Sequence, residues 1–171
     1  TNNTESSYIS ALMEQLSLSR PDIAFKYTVN GRLMLNTRGN GDLKEVIYKI
    51  YGRDIYENLI EINAISRAYE LSGFIAKPVV ARKNRLMEHY FVNSRYVEDK
   101  VISRAIEEGY SGFLMQHCFP FTALNLTLPP SAVDVNVHPR KMEVRLSEEK
   151  EVFEFIRSSV AEALSSAELI N

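Results

Sequence analysis

Lys141 is the residue whose placement could make it chemical. It stands in Val133–Arg145, which reads Val-Asp-Val-Asn-Val-His-Pro-Arg-Lys-Met-Glu-Val-Arg. Val133, Val135 and Val137 fall on one side; Asp134, Asn136 and His138 fall on the other. That alternation is the period of a strand with one buried face. Pro139 removes a backbone donor and fixes φ, so regular pairing should stop there. Val144 and Leu146 resume the alternation. The stretch therefore predicts strand, bend, strand, with Arg140 and Lys141 exposed at the bend. A bend held between two pinned strands places a cation more accurately than a free loop does. A lysine on a loop is ordinarily a solvated charge, so the pattern alone gives Lys141 a place and no chemistry. His138 has no cysteine or second histidine at metal-ligand spacing and reads as structural. Asp134 and Asn136 are expected to satisfy backbone groups of the bend.

A second group of candidates lies upstream. Lys77, Arg82, Lys83, Arg85, Arg95, Lys100 and Arg104 fall in one stretch, against Glu88, Glu98 and Asp99. The net charge of −2 gives no hint of nucleic acid. A local basic region on a mildly acidic chain is compatible with phosphate binding, although a solvated face is the ordinary meaning of such charge. No glycine-rich phosphate loop is present. Asn30-Gly31 and Gly39-Asn40-Gly41 read as turns. No Ser/His/Asp or Cys/His arrangement has nucleophile spacing, and Cys118 reads as a small buried residue.

The elements that would position these residues can be read in order. Ile9, Leu12, Met13 and Leu16 recur at helical spacing, which predicts an amphipathic helix from about Glu5 to Leu18 with Thr4 as its cap. Phe25, Tyr27 and Val29 alternate, and Asn30-Gly31 then predicts a hairpin whose return strand is Arg32–Thr37. Arg38–Gly41 reads as a flexible break and the candidate domain boundary. Asp42 and Glu45 have capping-box spacing ahead of an apolar stripe stopped by Gly52. One more helical turn is expected at Asp54–Asn58. Strands are expected around Ile60–Ala64, at Leu71–Val80 with Pro78 at an edge or bulge, at Met87–Val92 and within Phe119–Leu128. Asn93-Ser94 marks a turn. Val101, Ile102, Ala105 and Ile106 mark a helix from about Glu98 to Glu108. Ser147 could cap a last helix whose stripe is Val152, Phe153, Ile156, Val160 and Leu164. Strands mixed with helices imply an α+β class, one sheet with helices mainly on one face.

Composition sets the frame. The chain has 171 residues, 45% apolar and 25% charged, as in an ordinary globular domain or a domain plus a fragment. A single cysteine excludes an internal disulfide and implies a reducing, cytoplasmic setting. No apolar run is long enough for a membrane span, and the polar start is not a signal peptide. Thr1 suggests a piece of something longer.

Asp134-Val-Asn-Val-His-Pro-x-Lys-x-Glu-Val-Arg145 resembles the signature of the MutL family of DNA mismatch repair proteins. Tyr90-Phe-Val-Asn-Ser-Arg-Tyr-Val97, where the family usually has Phe-Val-Asn-Gly-Arg, and Gly73-Phe-Ile-Ala-Lys-Pro78 agree with it, in the right order. The resemblance implies a ribosomal protein S5 domain 2-like fold for residues 39–171. Residues 1–38 would then be the C-terminal remnant of a GHKL-type ATPase domain. It implies that Lys141 reaches the terminal phosphate of ATP, with magnesium, in that preceding domain, as both cofactor-binding and catalytic residue. It implies a DNA-contacting role for Lys100. Arg82, Lys83, Arg85 and Arg95 are further basic candidates near it. The fragment itself would not be an enzyme. The parent would be a slow ATPase, in some members also an endonuclease, acting as a homodimer. Its partners would be DNA, a MutS-like mismatch recognition protein and a downstream nuclease or helicase; a nucleoid association is expected if it is bacterial. The alternative is a stand-alone S5-like nucleic-acid-binding module from translation.

Overall fold

The structure is a computed structural model and describes residues 2–135, 144–146 and 148–169. Contacts divide the chain into two compact units, Thr1–Glu57 and Asn58–Asn171.

The first unit opens with α1 (Asn2–Ser19). Thr4 therefore lies inside the first turn instead of capping it. The hairpin follows as β1 (Lys26–Val29) and β2 (Arg32–Asn36), antiparallel, with Val29 opposite Arg32. Asn30 and Gly31 have φ of 51° and 78°, the left-handed pair that a tight hairpin turn requires. Next come α2 (Leu43–Tyr51) and α3 (Arg53–Glu57). The Arg38–Gly41 stretch is not a flexible break. Arg38 binds both oxygens of Glu45 at 2.8 and 2.9 Å, and Asn40 Nδ2 donates to the same carboxylate at 2.9 Å. The Gly41 N–H donates to the Pro21 carbonyl at 3.0 Å, tying the turn into the first unit. Half of the expected capping box forms: Asp42 accepts from the Glu45 N–H at 3.2 Å, but the Glu45 carboxylate turns to Arg38 and Asn40. Those two hydrogen bonds lower the Glu45 pKa to about 2.

The second unit is built on a five-stranded mixed sheet. Its strands are β3 (Leu59–Ser66), β4 (Tyr69–Ala76), β5 (Glu88–Val92), β6 (Arg95–Tyr96) and β7 (Thr122–Thr127), in the order β3-β4-β7-β5-β6. All neighbours are antiparallel except β5 and β7. A parallel pair needs a crossover, and the chain makes it through β6 and α4 (Lys100–Gly109). β4 ends at Ala76, and Pro78–Val80 forms a 3-10 turn. Pro78 thus terminates the strand instead of sitting within it at an edge or bulge. β4 is paired on both sides, where a residue without an N–H has no place.

α4 and α5 (Glu149–Leu169) close the core over the sheet. Ile102, Ala105, Ile106 and Tyr110 meet Val152, Ile156, Val160 and Leu164, over Leu71, Ile75, Tyr90, Leu124 and Leu126. Each fully buried aliphatic side chain of this kind contributes roughly 1.5–3 kcal/mol. Two glycines set how closely elements approach. A Cβ on Gly73, at φ 127°, would stand 2.1 Å from the Ala123 carbonyl oxygen of β7. A Cβ on Gly109 would stand 2.7 Å from Val160 Cβ, so only hydrogen lets α4 lie against α5 there. A separate antiparallel pair, β8 (Val133–Val135) and β9 (Val144–Leu146), sets Val133 opposite Leu146 and Val135 opposite Val144. The expected bend between them, with His138, Pro139, Arg140 and Lys141, lies outside the described residues, as does Ser147. Among the described residues no helix is long and apolar enough to cross a membrane.

Candidate nucleic-acid interface

Three basic side chains of the second unit, Arg85, Lys100 and Arg104, stand around the start of α4. The approach to that helix is pinned twice. Asn93 and Ser94 turn β5 into β6 with φ of 50° and 65°. The Leu128 N–H donates to Asn93 Oδ1 at 2.9 Å, and the Ser94 N–H donates to Asn125 Oδ1 at 2.8 Å, fixing the turn to β7 and its C-terminal end. Asp99 then caps α4, accepting from the Ile102 N–H at 3.1 Å. The Tyr90 hydroxyl, on β5, meets the Asp99 N–H and carbonyl at 2.9 Å each and Ser103 Oγ at 2.7 Å. The first turn of α4 is thereby bolted to the sheet.

Lys100 and Arg104 stand one turn apart on that helix, both exposed. Neither forms an ion pair among the described residues, although the Arg104 guanidinium lies 6.0 Å from the Phe153 ring. Glu98 and Asp99, which flank Lys100 in sequence, are engaged elsewhere: Tyr96 donates to Glu98 at 2.8 Å, and Asp99 is the cap. The two cations line a pocket of about 590 Å³ together with Arg85, Glu88, Tyr90, Tyr96 and the same two acids, Glu98 and Asp99.

The floor of the pocket is unusual. Glu88 is 8% exposed, and its Oε1 has no hydrogen-bond partner. Burial, and then the hydrogen bond and charge of Glu107, push its pKa up to about 9. Burial pushes Glu107 up as well, but hydrogen bonds from Arg85 and Glu88 outweigh it and hold Glu107 below its ordinary value. The two shifts run in opposite directions, toward the neutral form for Glu88 and toward the ionised form for Glu107. Arg85 spends its charge on Glu107 through two 3.0 Å hydrogen bonds and stacks on Phe119 at 4.3 Å.

The sequence candidates thus separate. Arg85 and Lys100 share the pocket. Arg82 and Lys83 lie at another loop: Arg82 Nη1 donates to the Val80 carbonyl at 3.0 Å, its backbone bridges Phe119 at 2.9 and 2.7 Å, and Lys83 Nζ is 3.7 Å from Cys118 Sγ. Cys118 is half-buried beside that ammonium, so it is not the buried filler its neighbours suggest. Arg95 is exposed on β6 and is not among the pocket-lining residues. Arg104 was counted among the local basic residues of the sequence but given no DNA-contacting role; its i, i+4 spacing from Lys100 was the available signal. His89, next to Glu88, is buried, and burial lowers its pKa to about 4. Among the described residues no group of three or more His, Cys, Asp or Glu side chains could hold a metal ion.

Residues 47–165 match the family model for the C-terminal domain of DNA mismatch repair proteins. Over 170 residues the chain is 46% identical to the DNA mismatch repair protein MutL of Agathobacter rectalis, covering 99% of this chain and 26% of that protein. Over 167 residues it is 42% identical to the MutL of Shouchella clausii, covering 98% and 26%. The chain thus spans about a quarter of the length of these relatives. Among solved structures, the N-terminal domain of a DNA repair protein matches with a TM-score of 0.76 at 24% identity, covering 93% of this chain and 53% of that one. The MutL ATPase domain of Aquifex aeolicus complexed with ADP matches with a TM-score of 0.59 at 17% identity, covering 92% and 50%. The mixed sheet with helices on one face is consistent with the S5 domain 2-like fold. The family model covers well over half of the sequence and the relatives align along nearly all of it, and on that ground the chain belongs to the MutL family of DNA mismatch repair proteins.

Proposed function

We propose that this chain is the middle, transducing part of a longer mismatch repair protein and that it grips DNA through phosphates at the α4 rim. The observation that carries the reading is that Lys100 and Arg104 are exposed and free of ion pairs among the described residues, while the acids beside Lys100 are engaged elsewhere. Arg95 adds a further exposed charge on β6. Arg82, Lys83 and Arg85 contribute to the local field, Arg85 less because Glu107 already holds it. Phosphate contacts carry no sequence information, which suits a protein that must act wherever a mismatch arises. They also weaken with salt, by roughly 0.7–0.9 in log–log slope per contact. The test is Lys100→Glu in the intact protein. Weaker DNA retention with a shallower salt slope is expected; equal retention at every salt concentration would end the proposal.

The same reading gives the chain a second task, coupling ATP bound by the preceding GHKL domain of the parent to homodimerisation, DNA binding and recruitment. It rests on the signature around Lys141, together with the antiparallel pairing of β8 and β9 on either side of it. Bound ATP with magnesium would supply the γ-phosphate whose presence or loss distinguishes two states. A lysine ammonium held near that phosphate would stabilise charge in the transfer and sense hydrolysis. Residues of the first unit support a parent domain larger than Thr1–Glu57: Tyr8, Ile9, Leu12 and Leu16 of α1 are 38–68% exposed, an apolar face left partly open among the described residues. In this reading the chain alone does not turn over ATP. The parent receives the mismatch signal from a MutS-like protein and passes it to a nuclease or helicase. Lys141→Ala in the full-length protein should depress ATP turnover, and an unchanged rate removes Lys141 from the mechanism. The translation-module alternative has no observation in its favour, since the relatives are mismatch repair proteins.

A further inference from the structure

The two edges of the sheet in the second unit are unlike. At one edge β6 is two residues long, too short to template another strand. At the other, β3 runs for eight residues. Its pairing with β4 is unbroken from Leu59–Ala76 to Ser66–Tyr69, with no bulge. It contains no proline and no lysine, the residues that commonly blunt an exposed edge.

The register identifies the groups left over. The Lys77 N–H donates to the Asn58 carbonyl at 2.9 Å, just before β3 begins. Bonded and non-bonded pairs alternate along an antiparallel ladder. Ile60, Ile62, Ala64 and Ser66 therefore bond to β4, and Leu59, Glu61, Asn63 and Ile65 turn their N–H and C=O groups outward. Among the described residues no strand pairs with that side, and no backbone hydrogen bond joins these four to another element. Beside the edge, a recess of about 490 Å³ separates β3 from α5. Small side chains, Ser159, Ala163, Ser166 and Ala167, form its helical wall. An open edge with such a trough beside it suits an extended peptide: the backbone supplies the ladder, and the trough receives every second side chain.

Charge selects the occupant. Glu61 on β3, Glu70 on β4 and Glu162 on the wall of the recess are all exposed. The cations of the β3–β4 hairpin stand only at its ends, Arg67 in the turn and Lys77 just past β4. A second copy of β3 would set acids against acids. We propose that the β3 edge takes up an extended segment of a partner protein as an added strand, with small apolar side chains facing the recess and basic ones facing Glu61 and Glu70. The surface lies at the opposite edge of the sheet from β6 and does not rest on the DNA contact.

Fluorescence anisotropy of the intact protein tests it, with a labelled peptide of alternating lysine and valine as long as β3. The peptide should bind saturably. Asn63→Pro removes one outward N–H and leaves the bonds to β4 in place, so it should weaken binding at least about tenfold without moving the urea midpoint. The same peptide N-methylated at alternate amides should not bind, because it cannot complete the ladder. No binding by the wild-type protein overturns the proposal, as does equal binding of the N-methylated peptide or equal binding by a folded Asn63→Pro protein. Equal binding of a glutamate–valine peptide overturns the basic occupant. A wild-type dimer in sedimentation that Asn63→Pro dissociates assigns the edge to a second copy and overturns the partner segment. Should Asn63→Pro fail to fold, amide exchange of the wild-type protein decides. The peptide should slow exchange at Leu59, Glu61, Asn63 and Ile65, and unchanged exchange at all four refutes the added strand.

Discussion

The two compact units treat the apolar stripes of their long helices differently. In Asn58–Asn171 the stripes of α4 and α5 meet each other and the sheet, and Ile102, Ile106, Val152, Ile156 and Val160 are almost wholly buried. In Thr1–Glu57, Leu18, Leu35, Val46, Ile47 and Ile55 are buried, yet Tyr8, Ile9, Leu12, Leu16, Leu33 and Met34 remain 38–68% exposed. Helical periodicity in α1 and α5 looks alike on paper. It marks a face as apolar and says nothing about whether a second layer exists to cover it. A helix and hairpin with two short helices have too little surface to enclose both faces of α1.

That contrast can be tested by substitution, beginning where the second unit is tightest. Gly73→Val places a side chain where even a Cβ would stand 2.1 Å from the Ala123 carbonyl. It should destabilise the second unit by about 4 kcal/mol or more, read as a loss of urea midpoint. A near-native midpoint would mean that β4 and β7 do not approach as described. Ile156→Ala, in the closed core, should cost about 2–5 kcal/mol.

Strand β5 also buries two neighbouring titratable groups, Glu88 and His89. His89 has its pKa lowered to about 4, so the unfolded chain binds its proton first as pH falls. Its contribution is complete above about 6.5 and is lost as pH falls through about 4. Glu88 has its pKa raised to about 9, so the folded chain holds the proton and its contribution is lost as pH rises from about 4.5 to about 9. The two trends oppose each other between about 4.5 and 6.5. Above that only the Glu88 trend remains, so Tm should fall by a few degrees toward pH 9. Glu88→Gln should flatten that limb; a limb unchanged in the variant would assign it to another group. The smallest effect is expected on the open face of the first unit. Leu12→Ser should cost less than about 0.5 kcal/mol, read from the urea midpoint, while reducing self-association at high concentration. A cost comparable with that of Ile156→Ala would show that α1 is covered after all.

Local features were legible because their causes are local. Asn30-Gly31 and Asn93-Ser94 turn where turns were expected, each with positive φ, and Gly52 stops α2 with φ 86°. The alternation at Ile60–Ala64 and the stripe from Val152 to Leu164 lie in β3 and α5. Errors arose where a local pattern had a distant competitor. Glu45 abandons the capping box for Arg38 and Asn40, and the glycine-rich turn becomes a tied loop. Pro78 ends β4 because that strand is paired on both sides.

The sequence by itself determined the elements, the turns between most of them and the family signature around Lys141, since each depends on residues a few positions apart. Which cations stay available was decided by tertiary structure. Arg85 and Glu107 are 22 positions apart and meet through two hydrogen bonds, whereas Glu98 and Asp99, close to Lys100 in sequence, accept from the Tyr96 hydroxyl and the Ile102 N–H and form no ion pair with it among the described residues. A charge is neutralised by what lies within a few ångströms in space. The chain brings those partners together only when the sheet order β3-β4-β7-β5-β6 has formed and α4 has docked on it.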